Sequence, residues 1–101
     1  DDVRAHMNAL RSEAAPSRRA AAARALATGP YGSTDVAKVT LFEACQKDPS
    51  PFVRGCCIDE LGKVGYRDQA FLVYLEKALS DPSDDVKMSA RLALARLKAG
   101  K

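Results

Sequence analysis

The chain has 101 residues, 47% of them apolar and 29% charged, with 16 basic and 13 acidic side chains for a net charge of +3. That suffices for one domain with a core, and the charge excess is too small to argue by itself for nucleic acid. No apolar run approaches the ~20 residues of a membrane-spanning helix, and no secretory leader pattern is present.

Val3, Met7 and Leu10 recur at helical spacing and predict a first helix. Ala21, Ala22, Ala25 and Leu26 predict a second. Gly29 to Ser33 reads as a turn, because the strand and helix that would flank a phosphate loop are missing. Ser33 or Thr34 then caps a third helix that reaches about Lys47. Ser50 caps a fourth, with Pro51 at the first helical position, where its missing N–H is no loss. Val53, Cys57, Leu61 and Val64 make its apolar stripe, and Gly65 ends it. Asp68 caps a fifth helix carrying Phe71, Leu72, Leu75 and Leu79. Ser83 caps the sixth. Asp84 and Asp85 fall in its first turn, where the helix dipole favours negative charge, and Lys98 and Lys101 fall near its other end.

Two of these turns are one phrase written twice. A shift of 33 residues aligns Asp48 with Asp81, Val53 with Val86, Arg54 with Lys87, Cys57 with Ala90 and Leu61 with Leu94. A shift of 35 finds a worn copy upstream: Glu13 on Asp48, Pro16 on Pro51, Arg19 on Arg54, Ala22 on Cys57 and Leu26 on Leu61. The chain therefore divides into units of about 1–29, 30–65 and 66–101, each a pair of helices. One such pair cannot bury its apolar face alone, and stacking on neighbours buries it. The expected fold is all-α: six helices in three stacked hairpins, forming a single domain over 1–101.

The acid-to-base spacing recurs in every unit, as Glu13 with Arg19, Asp48 with Arg54, and Asp81 with Lys87. A catalytic pair is rarely needed three times. These residues are better read as a structural ladder along the turns, each carboxylate accepting turn N–H groups or pairing with a base of its own or the adjacent unit. Cys56 and Cys57 are adjacent, which strains a disulfide, and a zinc site wants four ligands. Both align with small residues in the other units, so they read as small buried hydrophobes. Cys45 is read the same way. Three cysteines without a Cys-x-x-Cys pair are no disulfide framework and fit a reducing, cytoplasmic compartment. The chain starts at Asp1 rather than methionine, so it reads as a processed form or an excised piece, and a removed leader would change that compartment.

The turn and helix written Asp48-Pro49, Val53-Arg54 and Leu61-Gly62 resemble the second helix of HEAT repeats. They are closest to the short bacterial kind also found in phycobilisome-lyase-like proteins. The third unit departs with Lys87 for arginine and Ala95 for glycine, and the first is degenerate, with Glu13 and Arg18-Arg19. The resemblance spans essentially the whole chain. It implies a right-handed α-α superhelix (solenoid) whose second helices line a concave face. It also implies a non-enzymatic scaffold or adaptor that binds another protein there. Iron-holding enzymes on this fold use His-Glu pairs, and none occurs here. No catalytic residue, metal or other cofactor is expected.

On the second helix of the middle unit, the side opposite Val53, Cys57 and Val64 carries Gly55, Ile58, Asp59 and Gly62. The same register holds Ala20, Ala23, Arg24 and Ala27 upstream and Met88, Arg91, Leu92 and Ala95 downstream. Arg24, Ile58, Asp59, Met88, Arg91 and Leu92 are therefore the candidate partner-binding residues. Ile58, Met88 and Leu92 would form one apolar patch, either a contact site or a face covered by a further repeat. Two alternatives stand beside protein binding. The first unit has five basic and three acidic residues, the second four and five, the third seven and five. Nucleic acid would want a continuous basic stripe, and Asp59 with Glu60 interrupts it. The other alternative is a lyase-like subunit handling a chromophore, for which three units leave little room.

Overall fold

The computed structural model describes residues 2–100. It contains six helices: α1 (Asp2–Ser12), α2 (Pro16–Thr28), α3 (Asp35–Lys47), α4 (Pro51–Lys63), α5 (Gln69–Ala78) and α6 (Asp84–Gly100). Lys101, expected near the end of the last helix, lies outside the described residues.

The helix starts follow local side-chain chemistry. Thr34, rather than Ser33, caps α3 and accepts the N–H of Ala37. Ser50 accepts the N–H of Val53, Asp68 that of Ala70, and Ser83 that of Val86. Each satisfies a donor that the first helical turn leaves without a partner. By contrast, α2 has Ala15 at its N-cap, which makes no side-chain cap bond. At the other end of α4, Gly65 takes φ +75°, the left-handed conformation that glycine adopts without a Cβ clash.

The helices pack in sequential pairs, α1 on α2, α3 on α4 and α5 on α6. The pairs then stack sideways. In one layer α4 lies between α2 and α6, and in the other α1 meets α3. Phe42 of α3 packs edge-on against Phe71 of α5 at 5.5 Å between ring centres, and the Tyr74 hydroxyl donates to the Cys45 carbonyl at 2.7 Å. The result measures 34 × 29 × 17 Å. Its core runs between the layers through Leu10, Leu26, Leu41, Val53, Leu61, Phe71, Leu75 and Val86, all buried. Burial of each large side chain contributes about 1.5–3 kcal/mol.

Small residues set how closely α4 and α6 approach. A Cβ built on Gly62 would come within 3.1 Å of the Ala93 Cβ, and one on Gly55 within 3.1 Å of the Ser89 hydroxyl. Ile58 lies between these glycines on the same side of α4 and is 0% exposed. The expectation of an open surface at Ile58 is therefore corrected: α6 covers it. A helix flanked by neighbours on both sides within its layer, as well as by its own partner, keeps only a narrow arc open.

Candidate protein-binding face

The turns between helices carry the charged pairs. Arg19 Nε donates to Asp48 Oδ2 at 2.8 Å and Arg19 Nη2 to Asp48 Oδ1 at 3.1 Å, a two-pronged contact with both side chains buried. Arg19 Nη1 also donates to the Glu13 and Ala14 carbonyls, which ties the turn between α1 and α2 to the same guanidinium. Asp48 Oδ1 in addition accepts the Ser50 N–H. The hydrogen bond to Asp48 raises the Arg19 pKa further, outweighing the lowering effect of burial. One unit on, Arg54 stands 3.7 Å from Asp81, donates to the Asp48 carbonyl, and leaves Asp81 Oδ1 to accept the Ser83 N–H. Lys87 instead turns to Asp84 of its own helix at 3.3 Å, and Glu13 meets Arg18 at 3.8 Å. Two of these contacts, Arg19–Asp48 and Arg54–Asp81, run forward along the stack, from the base of one unit to the acid of the next.

The open arc of α4 is a single stripe at helical spacing: Phe52, Cys56, Asp59 and Lys63. Phe52 is 51% exposed. The corresponding residues of α6 include Leu92, 49% exposed, with Asp85 and Arg96, and those of α2 include Ala21 and Arg24. Arg24, Asp59 and Leu92 thus share one register on three successive helices, and none is buried. The Cys56 thiol records the electrostatics of this strip. Burial raises its pKa first, Asp59 raises it further, and Arg24 lowers it.

Of the six candidate contact residues, the structure keeps Arg24, Asp59 and Leu92 together. It removes Ile58. It places Met88 and Arg91 around the side of α6, at the register that is buried in α2 and α4, where both are exposed. The single apolar patch of Ile58, Met88 and Leu92 does not form. Phe52 was missed: it precedes the buried stripe that starts at Val53, and the position after a helix-starting proline is an exposed one. Cys45 and Cys57 are buried, and burial together with Cys57 pushes the Cys45 pKa well up. Among the described residues no cluster of three or more His, Cys, Asp or Glu side chains is arranged to hold a metal. No described helix is long and apolar enough to cross a membrane.

Paired helices stacked in two layers define the class as an all-α helical-repeat solenoid. Residues 3–95 match the family described as HEAT repeats, and the chain belongs to that family. Such repeats are commonly protein-interaction scaffolds and generally non-enzymatic. Comparison with curated proteins and with solved structures gave no match.

Proposed function

We propose that the protein is a non-enzymatic adaptor that binds a protein segment laid across its second helices, on the side implied to be concave. The observation that supports this reading is the shared register of Arg24, Asp59 and Leu92. The residues beside them in register are taken up by helix packing, so this column is where successive units differ freely in charge and polarity. Leu92 and Phe52 supply apolar contact area. Arg24 and Asp59, of opposite sign on neighbouring helices, select a partner with the complementary order of charges.

The test is affinity capture with the wild type, Leu92→Asp and Asp59→Lys, each matched for melting temperature. A protein retained by the wild type and lost from both variants supports the reading. A partner retained equally by all three overturns it. A salt-sensitive mobility shift with generic DNA or RNA, unaffected by Leu92→Asp, would instead favour electrostatic nucleic-acid binding.

A further inference from the structure

The two boundaries between helix pairs are filled differently. At the second, Tyr74 of α5 reaches back between the first helices, its ring 5.9 Å from that of Phe42 and its hydroxyl bonded to the Cys45 carbonyl at 2.7 Å. Burial raises the Tyr74 pKa, Cys45 raises it further, Arg54 lowers it and Asp81 raises it, so the phenol end sits beside the Arg54–Asp81 joint. The repeat alignment carries Cys45 onto Leu10, Arg54 onto Arg19, Asp81 onto Asp48 and Tyr74 onto Leu41. Leu41 is buried and has no ring or hydroxyl to extend along the boundary. Where the second boundary holds the phenol, the first holds a groove of about 370 Å³, and Leu10, Arg19 and Asp48 line it together with Thr40, Ala44 and Pro49. Among the described residues no N–H or O–H is bonded to the Leu10 carbonyl, the counterpart of the Cys45 acceptor. The groove lies within one boundary, so a further repeat, which would stack on the far side of α1 or of α5, would leave it open. At its mouth Arg11 and Lys47 share one acid, Glu43, at 3.6 and 3.8 Å, so one positive charge there is not offset.

We propose that this groove is a docking site for a tyrosine side chain of a partner protein, with an acidic residue next to that tyrosine in the partner's sequence. The ring lies against Leu10, Ala44 and Pro49, its hydroxyl donates to the Leu10 carbonyl, and the neighbouring carboxylate meets Arg11 and Lys47. The partner supplies from outside what Tyr74 supplies from within at the next boundary. Tyrosine suits both parts of such a site, because it brings a rigid apolar ring and a polar tip at little conformational cost. The groove belongs to the first-helix layer and the turns, whereas Arg24, Asp59 and Leu92 belong to the second helices. The two sites therefore stand or fall separately.

Titration of the full chain with a short capped peptide, one tyrosine between two glutamates, tests this through the backbone amide resonances. Saturable shifts are expected at Leu10, Thr40, Ala44 and Asp48. The same peptide with phenylalanine should bind about three- to tenfold more weakly for want of the hydroxyl, and with leucine more weakly still. Ala44→Leu narrows the groove from within and abolishes binding with helicity unchanged by circular dichroism. Lys47→Glu, at an exposed side chain, weakens binding at low salt and less so at high salt. Absence of saturable shifts at millimolar peptide overturns the proposal, as do shifts confined to the second helices. So do equal affinities for the tyrosine and leucine peptides, the behaviour of a groove that accepts any apolar group, and binding left intact in Ala44→Leu. Should Ala44→Leu fail to fold, Lys47→Glu decides, and an affinity that it leaves unchanged at low salt overturns the proposal.

Discussion

Arg19 grips the Asp48 carboxylate with two hydrogen bonds of 2.8 and 3.1 Å across the boundary between the first and second helix pairs. The equivalent pair one boundary later, Arg54 and Asp81, stands at 3.7 Å and is less buried. The two joints are the same motif at different tightness. Truncating one partner of a tightly held ion pair leaves the other charge without compensation, and the cost falls as the pair loosens and opens to solvent. A looser, more exposed pair is worth about 1 kcal/mol or less. Asp48→Ala is therefore expected to lower the melting temperature clearly more than Asp81→Ala. Each loses one turn hydrogen bond as well, from Ser50 and Ser83 respectively, so that loss cancels in the comparison. Thermal unfolding followed at 222 nm checks the order, and equal losses would show that the two boundaries are equivalent.

Ala15 offers the converse test. It occupies the N-cap position filled by Ser50 before α4 and by Ser83 before α6. Its backbone is already extended, at φ −83° and ψ 127°, as a capping residue requires. Ala15→Ser is expected to stabilise the chain by about 1 kcal/mol, a rise in melting temperature of roughly 4–8 °C for a domain of this size. Denaturant titration should show a higher midpoint with an unchanged slope.

The three cysteines should separate by reactivity. Cys45 and Cys57 are buried and Cys56 is partly open. Brief alkylation of the folded chain at pH 8 is expected to label Cys56 alone, and labelling in denaturant should reach all three. Asp59 raises the Cys56 pKa, so Asp59→Asn lowers it, increases the thiolate fraction and speeds the reaction. Arg24 lowers that pKa, so Arg24→Ala slows the reaction. Mass spectrometry of timed, quenched samples reads both signs. Rates that ignore both substitutions would mean that the two charges do not act at this strip.

Ile58 and Leu92 should part company under the same substitution. Ile58→Asp puts a carboxylate between α4 and α6 with no partner and is expected to abolish cooperative folding, since an unpaired buried charge costs several kcal/mol. Leu92→Asp changes an open side chain and should move stability by no more than about 0.5 kcal/mol. Chemical denaturation of the two variants side by side is sufficient.

Much of the fold was legible because it is written in local chemistry. Thr34, Ser50, Asp68 and Ser83 mark helix starts through bonds to their own next few residues. Repetition of the Asp-Pro-Ser turn then tied those starts into units. The surface was harder to read for a physical reason. A helix in the middle of a stack is enclosed on three sides, so its buried residues do not form one apolar stripe. Gly55 and Gly62 are buried for their smallness, and Glu60 is buried beside Lys63 despite its charge. Placing Ile58 opposite Val53 and Cys57 therefore suggested exposure, when that side faces the next helix. Arg24, Asp59 and Leu92 emerged because aligned units share a register whatever the neighbours do.

The ring cluster between the second and third helix pairs has a consequence for how the molecule yields. Phe42, Tyr66, Phe71 and Tyr74 interlock there at 5.3–6.1 Å. Before Tyr31 the chain contains no aromatic residue, and α2 offers mostly alanine to its neighbours. The boundary between the first and second pairs therefore rests on aliphatic contacts and on the Arg19–Asp48 clasp, without aromatic rings. Opening free energy should grade along the chain, with amide exchange fastest in α1 and α2 and slowest in α4 and α6. A ligand crossing all three columns would meet Leu92 and Asp59 on a stiff anvil and Arg24 on a jaw with some give. Such a surface can hold one feature of a partner firmly while tolerating variation in another.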